Sequence, residues 1–549
     1  MIQISQKTQL FLLLLIATIL FTVNIGSYPF IDGDATFYGQ VAKNMLTHGD
    51  WFVLRFDHFS ATDYVDKPPL TMWAMAIMFK LLGPTEFAGR LWHSLIAVLT
   101  VWMTYLIGCR LFKHKVGILS GFILTTSLQF FYQAREPLQD IPLAFCFVVT
   151  IYLFILFIQR QRWCYVYLIA VILGMAVMIK GPVGVVVPGL IISLVFVVIG
   201  AYKRHEIKDY LIHIPLALGV FLLICFPWHL WAYLRDGSDF LVFYFGKRTF
   251  SRYAAGAIFP GTAIPVYLGY LVLACLPWTP FLVPASYQAG KMSFLSQNQK
   301  EKEANILLLT WIAVVFLFFA ISPGNIFMRY LLPLLPATAL IMGNYLYNYY
   351  KNKNILSATF AIIIGLLLLG IIISLNLLFP SFKELYSDPK NHIYLMILTP
   401  FITIFSVGIL LTGIRLIKYQ DKWNIVLLVS FTVVAYGVFI QSLTLHIDKV
   451  LQHKKIADYI NQQSLPETKI AKYMPRGGYT MLSFYLNPYL KKLRKKTELD
   501  NFLRSNDNAM IIVEDPSLIP DDYRSLLKPL KQYGEWTLLQ KSYIPNSGK

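Results

Sequence analysis

Residues 8–38 read "TQLFLLLLIATILFTVNIGSYPFIDGDATFY". From Thr8 to Gly26 the run is almost wholly apolar and close to the roughly 20 residues a helix needs to cross a bilayer. Two aspartates, Asp32 and Asp34, follow within a few residues. A carboxylate at a membrane edge is costly unless water solvates it or a function holds it there. Lys7 is the one positive flank, and "VNIGSY" does not resemble a small-residue cleavage site, so the segment reads as an uncleaved anchor.

The rest of the chain continues in this manner. Of its 549 residues 56% are hydrophobic and only 14% charged, against roughly 25% charged in a soluble domain. Mean hydropathy is +0.57. These values describe a polytopic helical membrane protein. The thirteen apolar segments expected to span are 8–26, 89–109, 116–134, 141–158, 163–179, 182–201, 210–232, 264–286, 305–321, 327–348, 355–379, 393–414 and 424–444.

The connecting loops fix an orientation. "CRLFKHK", "QRQRW", "YKRHEIKDY", "GKMSFLSQNQKEKEA", "YKNKN" and "RLIKYQDKW" are short, and each carries at least two Lys or Arg. The positive-inside rule puts them in the cytoplasm, with the N-terminus inside and the C-terminus outside. Two long loops, 28–88 and 233–263, then lie on the outer face. The net charge of +19 belongs largely to the inner loops, so no nucleic-acid partner is expected. The five cysteines sit in or beside apolar segments with no C-x-x-C spacing, which suggests neither disulfides nor zinc. With no P-loop and no Gly-rich strand-to-helix turn, no nucleotide cofactor is implied.

The chain divides into a membrane domain, 1–446, and an outer domain, 447–549, of α/β pattern. There "HKKIADYINQQS" reads as a helix, and "KIAKYM", "MLSFYLN", "AMIIVED" and "EWTLLQKS" read as strands. In the first outer loop, "ATFYGQVAKNMLTHG" has Phe37, Val41 and Met45 on one stripe. It reads as a helix lying on the membrane with its apolar face down, Asp34 as its N-cap and Gly49 as its stop. Asp32 reads as a solvated loop residue. "VDKPPLTMW" sets Lys67 just before a second surface helix.

The ordered set "DATFYGQVAKNMLTHGDW", "DKPPLTMW", "EFAGRLW", "REPLQDIPLAFCF", "GMAVMIKGPVGVVVPGL", "CFPWHLWA", "CLPWTPFL" and "RYLLPLLPATAL" resembles the GT-C membrane glycosyltransferases. It is most similar to the aminoarabinose lipid A transferases and, more distantly, to the protein O-mannosyltransferases. The resemblance implies a GT-C fold of about thirteen spans with an outer C-terminal domain. It also implies transfer of a sugar, with inversion, from a polyprenyl-phosphate donor to an acceptor outside the cytoplasmic membrane, most readily lipid A. Asp34 and Asp140 match the acidic positions of the first and second outer loops and would be catalytic. Lys67, Arg252 and Tyr330 match positions facing the donor phosphate, and Arg329, Lys180 and Lys247 stand where they can assist.

The chain departs from the aminoarabinose transferases in reading "DATFY", so that Ala35 and Phe37 replace Glu and Arg. Asp66 keeps an acid that holds a divalent metal in relatives, but its histidine partner is missing. No metal is therefore expected, with Lys247 or Arg248 supplying positive charge instead. The donor sugar stays open, and so does an acceptor hydroxyl on protein. A transporter is the alternative from another class, but no inverted repeat or matching pair of Gly/Pro-broken spans is found.

Overall fold

In a computed structural model of the chain the described residues are 5–56, 67–204, 206–250, 263–321, 326–349, 355–378, 389–419, 423–450, 452–465, 467–474, 479–487, 489–534 and 536–542. The molecule is a helical bundle carrying one small sheet. The first nine helices are α1 (Gln6–Thr22), α2 (Gly33–His48), α3 (Leu70–Leu82), α4 (Glu86–Leu111), α5 (His114–Thr125), α6 (Leu128–Gln133), α7 (Asp140–Arg160), α8 (Cys164–Lys180) and α9 (Val183–Val198).

Every apolar segment named from the sequence is helical over most of its length. Among the described residues six helices are long and apolar enough to cross a membrane alone, or seven if one bent pair counts as a span. This makes the chain an integral membrane protein. Three of the segments are not the continuous helices expected. Segment 116–134 divides into α5 and α6. Segment 264–286 breaks into Ala263–Ala274 and Thr279–Leu295, which meet at 110°. Pro277 and Pro280 lie at that break, where a proline ring clashes with the preceding turn and removes an N–H. Segment 327–348 starts as a 3₁₀ turn, Met328–Leu334, before it becomes α-helical.

The C-terminal sheet has strand order β2-β1-β3-β5-β4, with β1 Lys469–Tyr473, β2 Leu490–Leu493, β3 Ala509–Val513, β4 Leu527–Tyr533 and β5 Trp536–Lys541. β1 pairs in parallel with β2 and β3, and β5 runs antiparallel to β3 and β4. Alternation along the strands divides the residues between two cores. Ala471, Tyr473, Ile511 and Val513 pack with Leu499 and Phe502 of the crossover helix Lys496–Arg504. Ile470, Met510, Ile512 and Leu538 face the other way and join a core that also contains α2 and α3.

That shared core corrects two expectations. "MLSFYLN" is not a strand: its first five residues end the helix Tyr479–Tyr485. This helix covers α2, so α2 does not lie with one face on lipid. The Phe484 ring sits 5.0 Å from that of Phe30, the Phe30 N–H donates to the Tyr485 hydroxyl oxygen at 2.9 Å, and Lys43 donates to the carbonyls of Phe484 and Leu486. Both the lipid-side stripe and its neighbours, Ala35 to Ala42, are buried.

Candidate active site

Asp34 is the second residue of α2, and Asp32, not Asp34, caps the helix: its Oδ1 accepts from the Asp34 N–H at 2.7 Å. Gly49 ends the helix at φ 70°, as its position suggested. With its backbone fixed by Asp32, the Asp34 carboxylate is aimed between two cations. Its Oδ1 accepts from Lys67 Nζ at 3.2 Å, and its Oδ2 from Arg329 Nη2 at 3.1 Å.

Arg329 lies in the 3₁₀ turn and forks across the site. Its Nη1 donates to Asp32 Oδ2 at 2.8 Å, and its Nε lies 3.9 Å from Asp140 Oδ2. Asp32 is therefore an ion-pair partner and not a solvated loop residue. The planar guanidinium suits this task, since one group serves several carboxylates in fixed geometry.

Asp140 is the first residue of α7 and Lys180 the last of α8. The two helices are antiparallel neighbours, so these ends meet and Lys180 Nζ donates to Asp140 Oδ1 at 2.5 Å. Both charges are also favoured by their helix dipoles, the carboxylate at a start and the ammonium at an end. Gly181 turns the chain directly after Lys180 at φ 77°, where a Cβ would meet the Tyr244 hydroxyl at 2.9 Å. The Lys180 ammonium stands 4.9 Å from the Tyr330 ring centre. Lys67 also donates to the Tyr38 hydroxyl at 2.9 Å, and Tyr38 donates to Gln139 Oε1 at 3.2 Å.

The structure thus gathers Asp34, Asp140, Lys67, Lys180, Arg329 and Tyr330 at one end of the bundle, from stretches nearly 300 residues apart in sequence (|i−j| = 297 for Asp32 and Arg329). Asp66, Arg252 and the side chain of Lys247 lie outside the described residues. Burial pushes the Asp34 carboxyl up, but Lys67, Arg329 and Lys180 together outweigh it and hold the group below the ordinary carboxylate range. Among the described residues no three His, Cys, Asp or Glu side chains converge as a metal would need.

Beneath these groups lies a layer that the sequence motifs contained but that the reading left without a role. Arg90, fully buried in α4, donates Nη1 to the carbonyls of Ile25 and Tyr28, both at 2.7 Å, and Nη2 to that of Pro29 at 2.8 Å. It also pairs with buried Glu136 at 3.5 Å. Arg135 donates to the carbonyls of Leu20 and Val23 at the end of α1, which no helical N–H satisfies. Together they tie the first outer loop, which carries Asp32 and Asp34, to the second, which leads into Asp140. The available signal was Arg90, a charge inside the apolar segment 89–109, which marks a role by default.

Two apolar cavities adjoin the cluster. One of about 470 Å³ is walled by Asp32 and Arg329 at its polar end and by Leu128, Phe131, Phe401 and Phe405 elsewhere. Another of about 570 Å³ lies past the end of α8, among Val177, Val185, Phe221, Phe240 and Tyr244.

A family profile for dolichyl-phosphate-mannose-protein mannosyltransferases matches residues 66–231. An uncharacterised protein of Aquifex aeolicus is 28% identical over 339 residues, 61% of this chain and 64% of its own length. The undecaprenyl phosphate-alpha-4-amino-4-deoxy-L-arabinose arabinosyl transferase of Pectobacterium carotovorum is 27% identical over 315 residues, 56% of this chain and 54% of its own length. The matched segments thus span less than two thirds of these curated relatives. In structure the chain resembles ArnT from Cupriavidus metallidurans bound to undecaprenyl phosphate, with TM-score 0.77 at 18% identity, covering 98% of each chain. It also resembles the Archaeoglobus fulgidus oligosaccharyltransferase, with TM-score 0.52 at 12% identity, over 92% of this chain and 69% of that one. The chain has the ArnT-like GT-C fold.

Proposed function

We propose that this GT-C chain is an inverting glycosyltransferase that moves a sugar from a polyprenyl-phosphate donor to an anionic lipid acceptor, most readily a phosphate of lipid A. The observation that carries the reading is Asp34 held between Lys67 and Arg329, beside the Asp140–Lys180 pair. In such a transfer an acceptor oxygen attacks the anomeric carbon from the face opposite the phosphate. The bond from that carbon to the phosphate oxygen breaks, and the carrier phosphate leaves with the electron pair. Lys67, Lys180 and Arg329 would neutralise the leaving phosphate by charge-assisted hydrogen bonds. A carboxylate near the anomeric carbon would stabilise its cationic character.

The depressed Asp34 pKa bears on the acceptor. A general base works best with a pKa near the operating pH, so a carboxylate held below its ordinary range is a poor one. It serves better to orient and stabilise, which suits an acceptor phosphate that is already ionised. The apolar cavity beside Asp32 and Arg329 suits the hydrocarbon chain of a lipid substrate.

On this reading the enzyme lies in the cytoplasmic membrane with the N-terminus inside and the domain 447–549 outside. Asp34 and Asp140 act at the reacting sugar. Arg252 and Lys247 join Lys67, Lys180, Arg329 and Tyr330 around the phosphate, and the basic residues among them take the place of a divalent metal. The decisive assay reconstitutes the chain with labelled polyprenyl-phosphate sugar and lipid A. Asp34→Asn lowers transfer by about 10²–10³-fold, the scale of losing one electrostatic stabiliser of a transition state. Transfer at the wild-type rate would remove Asp34 from the mechanism.

A further inference from the structure

We propose that the end of the bundle remote from the carboxylates holds a phosphate-headed membrane lipid in a preformed cleft. α7 runs from Asp140 to Arg160, 21 residues, so at 1.5 Å per residue the cleft lies roughly 30 Å from the carboxylate cluster. It is a cavity of about 710 Å³ between the final turns of α4, α7 and α9 and the start of the helix Gln299–Ile321. A volume of that size accepts a lipid headgroup and the top of its chains.

The lining divides into two parts. Ile155, Ile158, Val195, Ile199 and Leu307 form an apolar wall. Arg110, Arg160 and Lys300 supply three positive charges, and Glu303 one negative charge. The helices α4, α7 and α9 present their negative dipole ends here. Arg110 and Arg160 lie in the last turns of α4 and α7 and offset them, while Gln299–Ile321 presents a positive end. Arg160 donates Nη1 to the Tyr165 hydroxyl at 2.8 Å, a bond that fixes the guanidinium without neutralising it. Gln299 donates to Glu303 at 3.0 Å.

An apolar wall below a cationic rim matches an amphiphilic anion. A soluble phosphate ion would make no use of the wall, and a zwitterionic lipid would find no partner here for its ammonium except Glu303. The same residues lie in or beside the basic loops that the positive-inside rule assigns to the cytoplasm, where basic pockets between helices recognise anionic headgroups. The occupant is therefore an anionic phospholipid of the leaflet at that end.

The test uses the full chain, purified in neutral detergent and followed by native mass spectrometry. Phosphatidylglycerol is titrated against phosphatidylcholine, with glycerol 3-phosphate as soluble competitor. The wild type retains phosphatidylglycerol at least about tenfold more tightly than phosphatidylcholine, and the triple variant Arg110→Gln/Arg160→Gln/Lys300→Gln loses that preference. Glu303→Gln tightens phosphatidylglycerol binding, a gain that damaged folding does not produce. Unchanged retention in the triple variant, or no tightening in Glu303→Gln, overturns the site. Displacement by glycerol 3-phosphate at the concentration at which lipid binds overturns the lipid as its occupant.

Discussion

Both ends of the bundle are basic, and they use their charge in opposite ways. At one end Lys67, Lys180, Arg329 and Arg90 each face a carboxylate, and Arg90 and Glu136 are withdrawn from solvent altogether. At the other end Arg110, Arg160 and Lys300 are exposed and form no ion pair among the described residues. A paired, buried charge is expensive to maintain and persists only where the surrounding geometry is built for it. An exposed charge is tolerated nearly anywhere and acts through the field it adds.

The first way to break this comparison is to remove the deepest pair. Arg90→Leu deletes hydrogen bonds to the carbonyls of Ile25, Tyr28 and Pro29 and strands Glu136. Removing one member of a buried pair costs about 3–5 kcal/mol. Unfolding in detergent above about pH 7, where Glu136 is ionised, should register a loss on that scale, with Arg90→Leu/Glu136→Leu recovering part of it. A loss under about 1 kcal/mol would mean that Arg90 behaves as an ordinary surface charge.

Glu136 sharpens the same comparison through pH. Burial raises its carboxyl from 4.5 to about 7, with Arg90 opposing that rise. The folded state then holds a proton that the unfolded state has released, so this group makes stability fall as pH rises from 4.5 towards about 7. Asp34 has the opposite sign. Its pKa is lowered, so its contribution is present above the ordinary carboxylate value and lost as pH falls through the folded one. Glu136→Gln flattens the decline between pH 4.5 and 7 and leaves the acid limb in place. A decline of unchanged slope in that variant would assign the titration to another group.

A smaller effect separates charge from geometry at the carboxylate end. Arg329→Lys keeps the charge but not the fork that reaches Asp32 and Asp34 together. Transfer should fall about 10- to 100-fold while the protein still folds, since a lone ammonium cannot replace a bidentate guanidinium. Equal rates in the two proteins would reduce Arg329 to a point charge.

These contrasts also account for what the sequence disclosed. Hydropathy and loop charge located the helical segments, because burial in lipid constrains every residue of a span. Asp34, Asp140, Lys67, Lys180 and Arg329, which the structure brings together, could be named in advance through the family resemblance of their motifs, while Arg90, Arg135 and Glu136 stood in the same motifs without a role. The role of Asp32 was not, because its partner Arg329 lies on a distant segment and no local pattern records that meeting. "MLSFYLN" is a short apolar run in which strand and helix periods are hard to separate, and its covering of α2 through Phe484 is a tertiary fact. β4 was missed because Pro529 interrupts it; the strand lies at the sheet edge and its register shifts between Pro529 and Lys531, which is where a strand tolerates proline.

The smallest effect is the most direct check on the contrast between the ends. Arg160→Gln removes an exposed charge and one hydrogen bond to Tyr165. Surface substitutions of this kind usually change stability by within about 0.5 kcal/mol. In phosphatidylcholine, unfolding of Arg160→Gln and wild type should therefore coincide within that margin. In phosphatidylglycerol the wild type gains stability in proportion to the lipid bound, because any ligand that favours the folded state stabilises it by mass action, and Arg160→Gln gains less. If the two proteins already differed by several kcal/mol in the neutral lipid, Arg160 would be a structural charge like Arg90, and the ends of the bundle would not differ in kind.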